Sequence, residues 1–246
     1  DGNTLTDREE LFRGTPYVSG GRHFGSRLAF DHDNHLYITT GDRGQRDYAQ
    51  DPGAHLGKVI RLTASGQIPE DNPFLDNPDA QPGLYTTGHR NPQGIARHPE
   101  TGAIWIHEHG PRGGDEINIL EAGENYGWPE ATFGREYSGP EIAPDPPVAG
   151  FVSPIHHWTP SIAPSGMTFY TGDAFPDWQG DLFVGALAHE HLRRVVLDGN
   201  DVVAEDELLA DRGQRIRAVE QGPQGRLYVL VDAGAAPLLR LEPVTD

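Results

Sequence analysis

Three short segments of the sequence combine residue types that could bind or transform a small polar ligand. In the first, residues 88–94, Arg90 and Asn91 stand directly before Pro92. A planar guanidinium beside an amide, on a backbone restricted by proline, suits the oxygen atoms of a carboxylate or a quinone. This segment indicates a cationic binding loop, and a turn with a solvated arginine is the alternative.

The second segment, residues 107–118, joins a glycine–proline turn to several acidic side chains. Main-chain carbonyl oxygens at Gly110 and Pro111, with carboxylates close by, are the hard oxygen ligands that Ca²⁺ prefers. His107 and His109, on one face of a strand, offer only two of the three or four protein ligands that zinc normally takes. Calcium is therefore the favoured ion, and an ordinary β-bend with surface acids is the alternative.

The third group is a histidine before a strand and two arginines that are two residues apart. His23 directly precedes an apolar strand pattern, and Arg215 and Arg217 point the same way if they lie on a strand. Because the chain is acidic, these arginines and Arg90 would form an isolated cationic site if they converged at one end of the strands. A structural histidine and a solvated arginine edge are the alternatives.

The composition limits the classes of function. The 246 residues include 37 acidic and 19 basic side chains, which gives a formal net charge of −18, and there is no cysteine. The absence of cysteine excludes disulfides, thiolate metal sites and a cysteine nucleophile. The acidic balance argues against nucleic acid as a partner, because phosphate-backbone binders need a basic face. No apolar stretch approaches the ~20 residues of a membrane-spanning helix, and the polar start of the sequence does not resemble a signal peptide.

Short strands joined by tight turns must position these residues. Four segments repeat a unit of strand, polar turn and strand, and their second strands begin at residues 36, 104, 182 and 227. This spacing suits β-propeller blades with long insertions at 67–89 and 121–164, and a two-sheet β-sandwich is the alternative. We therefore expect an all-β chain that forms a single β-propeller domain over residues 1–246, with about four blades represented.

Six ordered blocks of the sequence resemble the soluble aldose sugar dehydrogenases, a family that includes soluble glucose dehydrogenase. The resemblance implies a six-bladed β-propeller enzyme that depends on pyrroloquinoline quinone (PQQ) and Ca²⁺. Because the family's sequences are longer at the N-terminus, it also implies that this chain is N-terminally incomplete. The blocks are residues 23–28 (HFGSRL), 88–94 (GHRNPQG), 108–118 (EHGPRGGDEIN), 125–129 (NYGWP), 160–167 (PSIAPSGM) and 215–217 (RIR).

The resemblance also implies roles for individual residues. His23 would be the general base that takes the proton of the sugar's anomeric hydroxyl, a task that suits an imidazole near neutral pH. Arg90 and Asn91 would hold the cofactor, and Arg90 would stabilise the negative charge that develops there during hydride transfer. Gly110 and Pro111 would offer carbonyl oxygens to the Ca²⁺ that binds the cofactor. Further cofactor contacts are implied at His109, Tyr137, Trp158, Ala188, His189, Arg215 and Arg217, and a second, structural Ca²⁺ is implied at Glu116 and the main-chain oxygen of Tyr126.

One region departs from the family pattern. Ala188 and His189 occupy a region in which soluble glucose dehydrogenase has a lysine near the cofactor. The loop is still expected to contact the cofactor, but not to supply a lysine-like charge.

The resemblance further implies an aldose sugar as the substrate, an electron acceptor of unknown kind, a monomer or homodimer, and a periplasmic or extracellular location. Two other functions remain open for the same fold. One is a Ca²⁺-dependent lactonase, which would need a cage of acidic ligands, and the other is a non-catalytic extracellular binding module.

Overall fold

The structure, a computed structural model, describes residue 4 and residues 6–244. This part of the chain is all-β and forms four antiparallel sheets, one after another along the sequence. Its strands are β1 (Gly25–Phe30), β2 (His35–Thr40), β3 (Lys58–Thr63), β4 (Leu84–Thr86), β5 (Pro92–Arg97), β6 (Ile104–Glu108), β7 (Asp115–Ile119), β8 (His156–Trp158), β9 (Pro164–Phe169), β10 (Leu182–Ala186), β11 (Leu192–Asp198), β12 (Asp201–Leu208), β13 (Ile216–Gln221), β14 (Leu227–Val231) and β15 (Leu238–Arg240).

Each sheet pairs strands that are neighbours in sequence. Sheet I contains β1 to β4, sheet II β5 to β8, sheet III β9 to β12 and sheet IV β13 to β15. The first two strands of every sheet are the predicted unit of strand, turn and strand, and their second strands begin at or within one residue of the expected positions. The prediction of four units is confirmed, and the two-sheet sandwich alternative is wrong.

The hydrophobic core lies between consecutive sheets. Tyr37 and Val59 of sheet I pack with Ile106 of sheet II in one buried cluster. A second cluster joins sheets II and III, and a third joins sheets III and IV. Middle strands such as β6 and β10 are buried along their whole length because a neighbouring sheet covers each of their faces.

The first strands of the sheets lie side by side. β1 contacts β5, β5 contacts β9, and β9 contacts β13. Sheets that pack face to face with their first strands together have the arrangement of propeller blades. The four sheets of the described chain do not close into a ring, so a six-bladed closed propeller remains a prediction.

Lys58 is the single lysine of the chain, and its side chain is fully buried at the start of β3. Its ammonium group donates to the carbonyl oxygens of Ala49 at 3.0 Å and Leu56 at 2.9 Å, and also to that of Tyr48. Burial lowers the pKa of Lys58 to about 7, whereas three carbonyl acceptors favour its charged form. The side chain thereby ties the start of β3 to three points of the segment 41–57, which connects β2 to β3.

Helical structure in residues 4 and 6–244 is limited to short 3₁₀ turns at Arg46–Ala49, Pro176–Trp178 and Ala210–Arg212. Within that part of the chain, none of these has the length and apolar character needed to cross a lipid bilayer.

Candidate functional site

His23 and Asp42 meet because they flank a paired hairpin. His23 precedes β1 and Asp42 follows β2, and the pairing of Gly25 with Thr40 brings these ends together. Nδ1 of His23 lies 2.6 Å from Oδ1 of Asp42. Gly41 permits this approach, because a Cβ atom there would lie 2.0 Å from the carbonyl oxygen of His23.

Asp42 is ionised and fixes the tautomer of His23. Its carboxylate accepts hydrogen bonds from the Gly44 amide at 2.6 Å and from the Trp128 indole at 2.9 Å as well as from His23. Burial opposes ionisation, but these donors outweigh it and hold the pKa of Asp42 below its ordinary value. Since an ionised carboxylate only accepts, Nδ1 must carry the proton and Nε2 presents its lone pair. His23 also has a positive φ of 52°, the kind of backbone strain found at functional sites.

Glu108 holds the backbone that carries Arg90 and Asn91. The pairing of Pro92 with Glu108 places the end of β6 beside the start of β5. Oε2 of Glu108 accepts the backbone N–H of Arg90 at 2.5 Å and of Asn91 at 3.4 Å, and Oε1 lies 2.8 Å from Nδ1 of His89. One buried carboxylate therefore orients three consecutive residues of the predicted binding loop.

The side chains of this loop reach toward the hairpin. Asn91 Oδ1 accepts the backbone N–H of Gly25 at 3.3 Å. The Arg90 guanidinium donates to the carbonyl oxygen of His109 at 2.9 Å and lies 5.3 Å from the ring centre of Trp128. Trp128 thus contacts both Arg90 and Asp42, the partner of His23.

A cavity of about 220 Å³ opens between these residues. Four of the predicted site residues line it together with the unpredicted Asp42. The predicted ones are His23, Arg90, Pro111 and Tyr137, and Tyr137 is largely exposed on the rim. The structure therefore brings the predicted base and the predicted cationic group into one open site.

His109 lies next to this site as a neutral imidazole. Burial lowers its pKa to about 4, and the charges of Arg90 and Arg217 act in the same direction. Its Nε2 lies 2.5 Å from the carbonyl oxygen of Pro164, so Nε2 donates and Nδ1 is left as an acceptor.

Two buried carboxylates lie close together behind Arg90. Glu116 and Glu108 line a small cavity of about 10 Å³, shared with Gly110 and Tyr126. Burial, and then the charge of Glu108, raise the pKa of Glu116 well above its ordinary value. A divalent cation would relieve this repulsion, and none of the described residues donates a hydrogen bond to the main-chain oxygen of Gly110 or Tyr126. The donor set, with oxygens only, fits Ca²⁺.

The carbonyl oxygen of Pro111, another predicted metal ligand, is already used in a hydrogen bond. Pro111 accepts the backbone N–H of Arg135 at 3.1 Å, which leaves one lone pair on its carbonyl oxygen. No cluster of three or more His, Asp or Glu side chains with metal-binding geometry occurs in the described residues. A calcium site here would therefore depend on main-chain oxygens, and the acidic cage that a lactonase would need is not found among residues 4 and 6–244.

Arg215 and Arg217 lie together at the start of sheet IV. Both donate to Oδ2 of Asp232, at 3.3 and 2.9 Å, and Arg215 also donates to the carbonyl oxygen of Leu187 at 3.1 Å. Neither lines the His23 cavity, although the charge of Arg217 reaches His109. Ala188 and His189 are exposed in the loop that follows β10, beside Arg215.

Trp158, for which the resemblance implies a cofactor contact, does not line the His23 cavity. Its side chain is 6% exposed in the core between sheets II and III, and its indole N–H donates to Glu205 at 2.9 Å. The alternation of β8 turns this residue inward, and its contact with a cofactor ring stays a prediction.

Sequence reasoning missed Asp42, Glu108 and Trp128 as parts of the site. Asp42 stands in a Gly-Asp-Arg-Gly turn directly after an apolar strand, a pattern that marks an acidic residue held at a strand end. Glu108 and Trp128 lie inside predicted blocks, but their partners are distant in sequence.

The sequence model of the family described as Glucose / Sorbosone dehydrogenase matches residues 1–240. The aldose sugar dehydrogenase YliI of Escherichia coli (strain K12) is 47% identical over 245 residues, which cover 99% of this chain and 66% of the relative. The chain thus spans about two thirds of the length of this curated relative.

Solved structures agree with this similarity. A crystal structure of a glucose dehydrogenase superposes with a TM-score of 0.93 at 50% identity, covering 95% of this chain and 68% of that one. The PQQ-bound aldose sugar dehydrogenase of Streptomyces coelicolor gives a TM-score of 0.74 at 32% identity, covering 94% and 65%.

Proposed function

The chain belongs to the glucose/sorbosone dehydrogenase family, and on that basis we propose that it oxidises aldose sugars at the anomeric carbon to lactones. We propose PQQ and Ca²⁺ as its cofactors. The observation that carries this proposal is the His23–Asp42 pair, which leaves Nε2 as the acceptor nitrogen of a histidine that lines the same cavity as Arg90. A base and a fixed positive charge on one open cavity are what removal of a hydride and a proton from a sugar requires.

The chain's own residues would divide the work. Nε2 of His23 accepts the proton of the anomeric hydroxyl, and the Asp42 carboxylate stabilises the imidazolium that results. Arg90 supplies positive charge where negative charge develops, and its backbone is already fixed by Glu108, so little reorganisation is needed. Such preorganised charges are commonly worth about 3 kcal/mol or more in the transition state. When bound, PQQ would supply the carbonyl that takes up the hydride, and Ca²⁺ would polarise that carbonyl.

Several residues would hold these groups. Asn91 and His109 offer an amide and an imidazole acceptor beside Arg90, and Tyr137 covers the rim. Arg215 and Arg217 would bind the carboxylates of the cofactor. In the structure, both arginines pair with the carboxylate of Asp232. Ala188 and His189 would contact the cofactor from the adjacent loop. Gly110 and Pro111 would ligate the Ca²⁺ at the cofactor, and Glu116 and Tyr126 a structural Ca²⁺.

The partners and location follow the same proposal. An aldose is the substrate, and a monomer or homodimer in the periplasm or outside the cell is the expected context. These features remain predictions from the family.

Reconstitution tests the proposed function directly. Adding PQQ and Ca²⁺ should give a bound cofactor whose absorption changes when an aldose is added, with electrons passing to a dye. Absence of any spectral change with a panel of aldoses, using a chain extended to the length of the relatives, would overturn the dehydrogenase proposal. His23→Gln should keep cofactor binding but lower turnover by about a hundredfold or more; full turnover in that variant would exclude His23 as the base.

A further inference from the structure

A second cavity lies on the other side of the turn that borders the candidate site. Its volume is about 340 Å³, compared with about 220 Å³ for the cavity at His23. Pro111 lines the first cavity, and the next two residues, Arg112 and Gly113, line the second. The two cavities are therefore separated by a single turn of backbone.

The second cavity is cationic in a strongly acidic chain. Arg112 and Arg135 line it, and no carboxylate of the described residues does. Arg135 has a partner, Glu141 at 3.1 Å, but both side chains are about half exposed or more, and such pairs contribute little and are easily exchanged. Arg112 takes part in none of the ion pairs found among residues 4 and 6–244. Nη1 of its guanidinium lies 3.5 Å from the position that a Cβ atom at Gly139 would occupy.

The remaining walls are flat and apolar. The ring of Phe133 stacks on His157 with 3.8 Å between ring centres and 9° between planes, which fixes its orientation. Pro160 adds apolar surface, and Thr159 presents a hydroxyl whose oxygen already accepts the N–H of Gly114 at 3.0 Å. That hydroxyl keeps its own hydrogen for a ligand.

The cavity is preformed. Gly114 donates to the carbonyl oxygen of Trp158 at 2.8 Å, and Arg135 donates to that of Pro111 at 3.1 Å. A Cβ atom at Gly114 would lie 2.4 Å from the backbone nitrogen of Gly134, so the two loops are in direct contact. A ligand would thus bind with little ordering of the protein.

We propose that this second cavity binds a small aromatic anion and that, in the oxidation proposed above, this anion is the electron acceptor. An aromatic ring matches the Phe133 and Pro160 surface, and a negative group matches the two guanidinium groups. The acceptor role rests on the proposed function. Each aldose that becomes a lactone releases two electrons and two protons. A quinone takes up all four when its two C=O groups become two O–H groups. A quinone-imine does so when its C=O group becomes O–H and its C=N group becomes N–H.

Binding is tested first, on the cofactor-free chain. The probe is 2,6-dichlorophenolindophenol, an anionic quinone-imine dye, titrated calorimetrically at pH 7.5 and low salt. The double variant Arg112→Gln/Arg135→Gln should raise the dissociation constant of the dye by at least about tenfold. The control Arg97→Gln/Arg226→Gln removes the same charge from arginines that contact His32 and Glu242 outside the cavity. Equal affinity in the two double variants, or no binding by the unchanged chain at millimolar dye, would overturn the proposal.

Turnover then tests the acceptor role. With the reconstituted protein, the cavity variant should raise KM for the anionic dye by at least about tenfold while leaving KM for the N-methylphenazinium cation and the KM for sugar unchanged. Equal changes for both dyes, or none, would overturn the acceptor role. If no dye is reduced by any form of the protein, the proposed function fails, and the calorimetric result still decides whether the cavity binds anions.

Discussion

Nδ1 of His23 lies 2.6 Å from Oδ1 of Asp42, and this contact decides which nitrogen of the imidazole can accept a proton. In Asp42→Asn, the amide nitrogen can donate to Nδ1 and move the imidazole proton to Nε2, the nitrogen that is proposed to act as the base. We expect kcat to fall by about a hundredfold or more, with cofactor affinity nearly unchanged. Steady-state kinetics and cofactor titration measure the two effects.

The chain contains a matched control for that substitution. Asp31 Oδ2 lies 3.1 Å from Nδ1 of His35, in the turn between β1 and β2. Asp31→Asn should leave turnover within about twofold, because this pair is outside the cavity. An equal loss in both variants would mean that Asp42 acts only on stability.

Glu108 should be essential for the shape of the binding loop. Glu108→Gln replaces two acceptor oxygens by one and places an amide N–H against backbone donors of Arg90 or Asn91. We expect the free energy of unfolding to fall by about 2 kcal/mol or more and cofactor affinity to fall about tenfold. Urea denaturation and cofactor titration test this, with Glu121→Gln, an exposed acid, as control. Unchanged cofactor affinity would show that the loop keeps its shape without the carboxylate.

Calcium should reverse the order of stability between the chain and its Glu116→Gln variant. Because burial and Glu108 raise the pKa of Glu116, the ionised carboxylate is less favourable in the folded than in the unfolded state, and this costs stability at neutral pH. Without Ca²⁺, Glu116→Gln should therefore be at least as stable as the unchanged chain. With Ca²⁺ at a hundred times its dissociation constant, the unchanged chain should gain about 2.7 kcal/mol and the variant much less.

Thermal unfolding of both proteins, with EGTA and with Ca²⁺, measures whether their order of stability is reversed. A Ca²⁺ response of the same size in both proteins would place the ion away from Glu116.

The buried His107 should make the protein sensitive to mild acid. Burial lowers its pKa to about 3, and neither ring nitrogen has a hydrogen-bond partner among the described residues. The unfolded chain takes up a proton near pH 6.5, whereas the folded chain does so only near pH 3, so the free energy of unfolding falls as pH falls between these values. His107 should contribute a slope of about 1.4 kcal/mol per pH unit.

Urea denaturation from pH 4 to 7 measures that slope. His107→Gln should reduce it by the stated amount, and the remaining slope should include His109, whose pKa is also lowered. His32→Gln, an exposed histidine, should not change it. An unchanged slope in His107→Gln would mean that His107 binds its proton equally in the folded and unfolded states, which would contradict the prediction.

The strand pairs of the fold could be predicted from local patterns, because a strand, a polar turn and a strand leave a signal within about fifteen residues. The last strands of sheets I and II, β4 and β8, could not be predicted in this way. β4 and β8 have three residues each and follow long loops, so they depend on pairing with strands far away in sequence.

The candidate site was predicted in part for the same reason. His23 and Arg90 lie in recognisable blocks, and the structure places both on one cavity. Asp42 and Trp128 are 86 positions apart, and their 2.9 Å hydrogen bond follows only from the packing of sheets I and II. Trp158 lies outside the six blocks, so no local motif showed that its side chain packs between sheets II and III.

The burial of Lys58 determines how this protein can be attached to a solid support. Reagents that acylate or alkylate lysine side chains find no exposed target in residues 1–246, because the single lysine is buried at the start of β3. Carbodiimide activation would instead act on the abundant carboxylates of the surface. An electrode coating made in this way would be joined through acidic side chains, and the arginines that line both cavities would remain chemically unmodified.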